Sequence, residues 1–200
     1  MSESGIIQNI FFPARRKKAA SSPAQEKQKE TAMLVERVCA GDENAFNEFY
    51  RRLSPMVHGI VLSRVPRDEV DDIVQEVFIS AYKNLHTLRD KNAVGAWIAN
   101  IARNRAVEFY RRTKPTEELS ENLSRNDESI AEAREILETI RSLPDAYNET
   151  LILRLVEGMT GAEIAEQTGL TPDSVRVNLH RGMKLLREKL GIEKSSESRL

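Results

Sequence analysis

Val70, Ile73, Val74, Val77, Phe78, Ala81 and Leu85 recur at intervals of three and four residues, which places them on one face of an α-helix. The same period predicts a helix from about Val94 to Arg112 that buries Trp97, Ile98, Ile101 and Ala102, with the polar stretch His86–Ala93 connecting the two. Upstream, helices are predicted around 31–40 and 43–64; Pro66 breaks the pattern before Asp68 opens the next element. Further along, Ile136, Leu137, Ile140 and Leu143 form a stripe that stops at Pro144. Leu151, Ile152, Leu155 and Val156 form another that stops at Gly158, and two closely spaced helices fill Gly161 to Leu190. No stretch alternates with a period of two. The pattern predicts an all-α chain.

Charge divides this chain where hydropathy alone does not. Its 200 residues carry a net charge of only −1, yet residues 113–136 carry −4 and residues 1–30 carry +3. Thr113 to Ser129 is acidic and polar, with Leu119 and Leu123 as its only sizeable apolar groups. Such a segment cannot bury enough surface to offset its ordering entropy, so a flexible linker is expected over 113–130. Seventeen residues, Thr113 to Ser129, reach up to ~56 Å when extended. The predicted organisation is a disordered arm (1–30), a helical domain (31–112), the linker, a second helical domain (131–192) and a tail (193–200). Blocks this small are marginal by surface-to-volume scaling, so stabilisation by a partner is expected.

Composition removes several function classes. One cysteine, Cys39, excludes an internal disulfide framework and a Cys-rich zinc site. No apolar run is long enough to span a bilayer. Arg15-Arg16-Lys17-Lys18 follows the short apolar patch Ile6 to Phe12 instead of preceding it, the wrong order for a signal peptide, so a cytoplasmic chain is expected. There is no Gly-rich phosphate loop, clustered His or opposed carboxylate pair, so neither an enzyme nor a cofactor or metal site is expected.

The strongest local signal runs from Thr160 to Leu190. Thr160 and Glu163 have the spacing of a capping box. Ala165 is small where two helices would cross, and Gly169 suits a left-handed turn. Thr171-Pro172 restarts a helix with an N-cap and a proline at its first position. Val175, Leu179, Met183, Leu186 and Leu190 form its apolar stripe, leaving Ser174, Arg176, Val177, His180, Arg181, Lys184 and Arg187 on the other face. This is the spacing of a DNA-binding helix-turn-helix. A plain αα-hairpin would share the spacing; the net +4 between Arg176 and Lys189 favours phosphate contact. A second basic group, Arg103, Arg105, Arg111 and Arg112, ends the helix that carries Trp97, Phe109 and Tyr110. That combination suits single-stranded nucleic acid, although Trp97 and Phe109 fit a core as well. The helix before it is acidic at Asp68, Glu69, Asp71, Asp72 and Glu76, which repels DNA and invites a basic protein.

Asp72-Ile-Val-Gln75-Glu76-Val-Phe78, then Ala81-Tyr82, then Trp97 to Asn104 resemble region 2 of bacterial RNA polymerase sigma factors. Leu143-Pro144, Leu151 to Gly158, Glu163-Ile164-Ala165 and Leu179-His180-Arg181 resemble their region 4. The two-domain layout resembles the extracytoplasmic-function (ECF) group of the sigma-70 family. The resemblance implies that Asp72, Gln75, Glu76 and Phe78 dock on the clamp coiled coil of the polymerase β′ subunit. It implies that the loop 86–93, with Arg89 and Asn92, captures a flipped base of the −10 promoter element, and that Arg103, Asn104, Arg111 and Arg112 read and melt that element. It implies that the helix from Thr171, through Ser174, Arg176, Val177, His180, Arg181 and Lys184, reads the −35 major groove. Val177 and Asn178 stand where the family often has Ser and Arg. The implied partners are core RNA polymerase (its β and β′ subunits), promoter DNA and an anti-sigma factor. Two alternatives stand beside this reading: a stand-alone helix-turn-helix regulator, and a sigma mimic that sequesters an anti-sigma factor.

Overall fold

The structure, a computed structural model, describes residues 23–113 and 128–191. The segments 1–22, 114–127 and 192–200, which include most of the expected arm, linker and tail, lie outside the described residues. Among the described residues every regular element is helical, and none is long and apolar enough to cross a membrane.

The first block comprises α1 (Pro23–Cys39), α2 (Glu43–Leu62), α3 (Val70–Asn84) and α4 (Val94–Arg112). α1 begins inside the stretch 1–30 that was expected to be an arm. The cause is packing: Leu34, Val35 and Val38 seat it on α2, and that anchor carries the helix back to Pro23. Gly41, at φ 87°, turns the chain, and Asp42 caps α2 by accepting from the Ala45 amide. Arg37, bonded to Asp42 at 2.7 Å, is the main reason its carboxyl sits below the usual carboxylate range. α2 is the central element, burying Phe49, Leu53, Met56, Val57, Ile60 and Val61 against α1, α3 and α4. α4 matches its expected span, with Ile98 and Ala102 buried and Trp97 and Ile101 packed half-exposed on the core. The connection 86–93 contains two single 3-10 turns, and another, Arg67–Glu69, precedes α3.

The second block comprises α5 (Glu128–Arg141), α6 (Asp145–Leu155), α7 (Gly161–Thr168) and α8 (Pro172–Lys189). Here one stripe departs from expectation: Leu151 and Ile152 are buried, Leu155 and Val156 are half-exposed, and Leu153 is buried in their place. α6 is covered on two sides, by α8 on one and by α2 of the first block on the other. A helix buried on two sides does not keep a single stripe.

That second contact governs the architecture. The two blocks share one hydrophobic core, α6 packing on α2 and α7 on α4. Three glycines make the approach possible. A Cβ on Gly59 would lie 2.7 Å from Leu153 Cδ2, one on Gly95 2.8 Å from the Gln167 carbonyl oxygen, and one on Gly169 2.8 Å from Ala96 Cβ. Polar groups complete the seam. Arg141 donates through Nε to the Leu62 carbonyl at 2.9 Å and through Nη2 to the Val65 carbonyl, satisfying acceptors that the end of α2 leaves open. The blocks therefore supply each other with the surface that small domains lack.

Candidate nucleic-acid and docking surfaces

The α7–α8 unit has the local chemistry its sequence demands. The Thr160 amide donates to Glu163 Oε2 at 3.0 Å and the Glu163 amide donates to Thr160 Oγ1 at 3.2 Å, closing the capping box. Gly169 takes φ 77°, and Thr171 Oγ1 accepts from the Ser174 amide at 3.1 Å to start α8. Val175 and Leu186 are buried, while Ser174, Arg176, Val177, His180, Arg181 and Lys184 are all exposed. Arg176 meets Asp173 at 3.1 Å, but with side chains 78% and 86% exposed the pair is screened and easily exchanged for a phosphate or a base. Two hydroxyls at the start of this face are already engaged, Thr171 Oγ1 as the cap and Ser174 Oγ with it at 2.8 Å. Gly182, costly in a helix interior on propensity alone, is explained by packing: a Cβ there would lie 3.1 Å from Leu151 and 3.2 Å from Tyr147.

The second group, on α4 and the loop before it, is only partly presented. Arg89, Asn92, Asn104, Arg111 and Arg112 are exposed. Asp90 shapes the loop by accepting from the Asn92 amide at 3.0 Å, and α1 holds it through Gln28 Nε2 to the Asn92 carbonyl (2.9 Å) and Lys91 to Glu36 (2.8 Å). Arg112 lies between Glu76 (3.2 Å) and Glu108 (3.5 Å). Arg103 points the other way, into the seam. Its Nε and Nη2 donate to the two oxygens of Glu149 at 3.2 and 2.7 Å, and Arg64 meets the same carboxylate at 2.7 Å. Glu149, on α6, is buried. One of the basic residues expected to face a nucleic acid is thus held by a carboxylate of the other block.

The third surface is a groove between α2 and α3 of about 560 Å³. Phe78 is buried and forms its floor, its ring 4.5 Å from that of Tyr50; Phe46 and Tyr82 meet edge to face at 5.0 Å. Tyr50, Ile79 and Tyr82 are exposed apolar groups along the groove, with Asp71 and Asp72 at one end and Lys83 at the other. Asp72 and Gln75 are exposed and Glu76 is partly so. Sequence reading found the acidic residues but missed Tyr50 and Ile79. Ile79 carries a signal, since it is a large apolar residue outside the buried stripe of its own helix.

His58 of α2 closes the far side of the seam, its Nδ1 2.7 Å from Glu157 Oε1. That bond holds the imidazole above its ordinary value of 6.5, against an opposing effect of burial; Asp71 raises it further and Arg67 lowers it. A raised value means that the pair stabilises the seam fully below pH 6.5 and less as pH rises through the raised value. The melting temperature should therefore gain nothing from the pair on acidification below about pH 6.5 and fall as pH rises above that value, and His58→Gln should flatten the fall. Parallel pH profiles for the two proteins would show that the clasp contributes nothing.

A sigma-70 region 2 family model matches residues 49–116 and a sigma-70 region 4 model matches residues 133–186. The ECF RNA polymerase sigma-E factor of Escherichia coli is 30% identical over 177 residues, covering 79% of this chain and 93% of that protein. The ECF RNA polymerase sigma-E factor of Haemophilus influenzae is 28% identical over 176 residues, covering 78% and 93%. Among solved structures, CnrH in complex with the cytosolic domain of CnrY shares the fold, with a TM-score of 0.59 at 22% identity over 82% of this chain and 99% of that one.

Proposed function

This chain belongs to the sigma-70 family, in its extracytoplasmic-function group, and from that premise we propose how its three surfaces divide the work of a transcription initiation factor. A sigma factor lends promoter recognition to core RNA polymerase, and the family is not a known enzyme family. The α2–α3 groove with Asp72, Gln75 and Glu76 docks on the clamp coiled coil of β′, Phe78 supporting it from beneath. The 86–93 loop, with Arg89 and Asn92, holds a base flipped out of the −10 element, and Asn104, Arg111 and Arg112 line the path of the melted strand. Flipping costs a few kcal/mol, so a pocket and stacking surface must offset it. α8 lies in the −35 major groove. An anti-sigma factor is the remaining partner in this reading.

The observation that supports this division best is the polarity of α8: Val175 and Leu186 inside, Arg176, His180, Arg181 and Lys184 outside. Run-off transcription by core polymerase on a promoter library, with and without the protein, tests the reading as a whole. Absence of promoter-specific transcripts would refute it. Arg176→Ala should cost about 1–3 kcal/mol at one promoter position, scored by transcription from single-base variants, if the side chain touches a base edge. Equal loss on every variant would make it a phosphate contact instead.

The seam adds a condition. Elements named −10 and −35 are about 25 base pairs apart, or about 85 Å at roughly 3.4 Å per base pair. With α4 and α7 in direct contact, the two reading surfaces cannot span that distance. The blocks must separate before both act, and the free chain reads promoter DNA with one weak contact at a time. Polymerase converts these into one bivalent contact.

A further inference from the structure

The N-terminal arm and the α2–α3 groove are complementary in apolar content, in charge and in the order in which these features run. Ile6, Ile7, Ile10, Phe11 and Phe12 form the densest apolar cluster outside the described residues, and Arg15-Arg16-Lys17-Lys18 follows after Pro13-Ala14. Ile6, Ile7, Ile10 and Phe11 are spaced as one face of a helix. The groove offers Tyr50, Ile79 and Tyr82 exposed above a Phe78 floor, with Asp71 and Asp72 at one end and Asp68 and Glu69 exposed just before them.

Helix directions bring the two into register. α1 runs antiparallel to α2, since Glu30 meets Arg52 at 3.2 Å while Cys39 leads through Gly41 into the start of α2. From Thr31 back to Pro23 is eight residues, about 12 Å further toward the C-terminal end of α2. α3 is also antiparallel to α2, because Phe46 meets Tyr82 and Tyr50 meets Phe78. The acidic start of α3 therefore lies toward that same end, where His58 of α2 is close enough to Asp71 to be influenced by it. Moving back along the arm from Pro23, the chemistry runs basic, then apolar. Moving along the groove from that end, it runs acidic, then apolar. The eight-residue step from Pro23 to Arg15 spans up to about 26–29 Å, enough to round one helix.

We propose that residues Ile6–Lys18 of the arm occupy the α2–α3 groove of the same chain, with Ile10, Phe11 and Phe12 over Phe78 and Ile79 and the basic run against Asp71 and Asp72. An amphipathic segment laid into an apolar groove is a recurring recognition mode, and tethering makes it effective even when the contact is intrinsically weak. The consequence rests on the function proposed above: if the groove is the polymerase-docking surface, the arm covers it until core polymerase displaces it.

The test uses the full chain with a photo-crosslinking benzoylphenylalanine at Phe11. Irradiation followed by mass spectrometry should give intramolecular adducts on peptides containing Tyr50 or Ile79–Tyr82, and Arg15→Glu/Arg16→Glu in the same chain should reduce their yield several-fold. Adducts elsewhere, no adducts, or adducts only between two copies would each overturn the proposal. A second readout separates it from the function reading. Phe11→Asp/Phe12→Asp should tighten binding to core polymerase about ten-fold. Groove crosslinks with unchanged polymerase affinity would keep the arm in the groove and remove the groove from polymerase docking.

Discussion

Glu149→Ala should part the two blocks of the free chain and release Arg103. Glu149 is 6% exposed and accepts from Arg103 through both oxygens while meeting Arg64 at 2.7 Å. Removing one member of a buried ion pair costs about 3–5 kcal/mol, because the charges left behind keep their desolvation without their partner. Here two guanidiniums would be left facing each other. The chain has an escape that a single-domain core lacks, since opening the seam rehydrates both. A shift of about 3 kcal/mol moves the closed-to-open ratio by more than a hundred-fold. Small-angle scattering should show a larger radius of gyration, and affinity for a single-stranded −10 oligonucleotide should rise about ten-fold as Arg103 becomes available. A lower melting temperature with an unchanged radius of gyration would assign Glu149 to packing alone.

The features that build α8 are local, and the sequence displays them: a cap, a capping box, a left-handed glycine, an apolar stripe and a basic face within thirty residues. The seam is not local. Its contacts join residues 46 to 99 positions apart, from Arg103 with Glu149 to His58 with Glu157, and each participant has an ordinary local reading. Gly169 reads as a turn glycine, which it is, but it also lies against Ala96. Gly95 carries no signal at all until the Gln167 backbone is seen against it. Arg103 reads as one more cation in a basic run, because nothing in α4 announces a carboxylate arriving from α6. Leu153 is hidden by the same cause, as its burial depends on a second neighbour that the period of one helix cannot reveal.

This arrangement links the seam to the groove. α2 contributes Tyr50 and Phe46 to the groove proposed for docking on one side and Gly59 and His58 to the seam on another. On the proposed docking, a polymerase subunit gripping α2 and α3 would touch the helix on which α6 rests, so that engagement of the groove and release of the second block would involve the same element.

The groove itself gives the largest expected loss. Asp72→Lys/Ile79→Asp should weaken binding to core polymerase several hundred-fold, about 3–4 kcal/mol, with one apolar anchor and one charge contact removed together. Both side chains are exposed, so neither change should disturb the core, and the melting temperature should move little. Asp72 is the better acidic target than Glu76, whose carboxylate already meets Arg112 at 3.2 Å; a lysine at Glu76 would also repel that arginine and blur the result. Because α8 lies in the other block, binding of the variant to −35 duplex should match the parent. This contrast distinguishes a lost docking surface from a damaged protein. The measurement is co-purification with core polymerase together with duplex binding in one buffer, since both contacts weaken with salt. Undiminished recovery with β′ would remove the α2–α3 groove as the docking site and leave its exposed tyrosines to another partner.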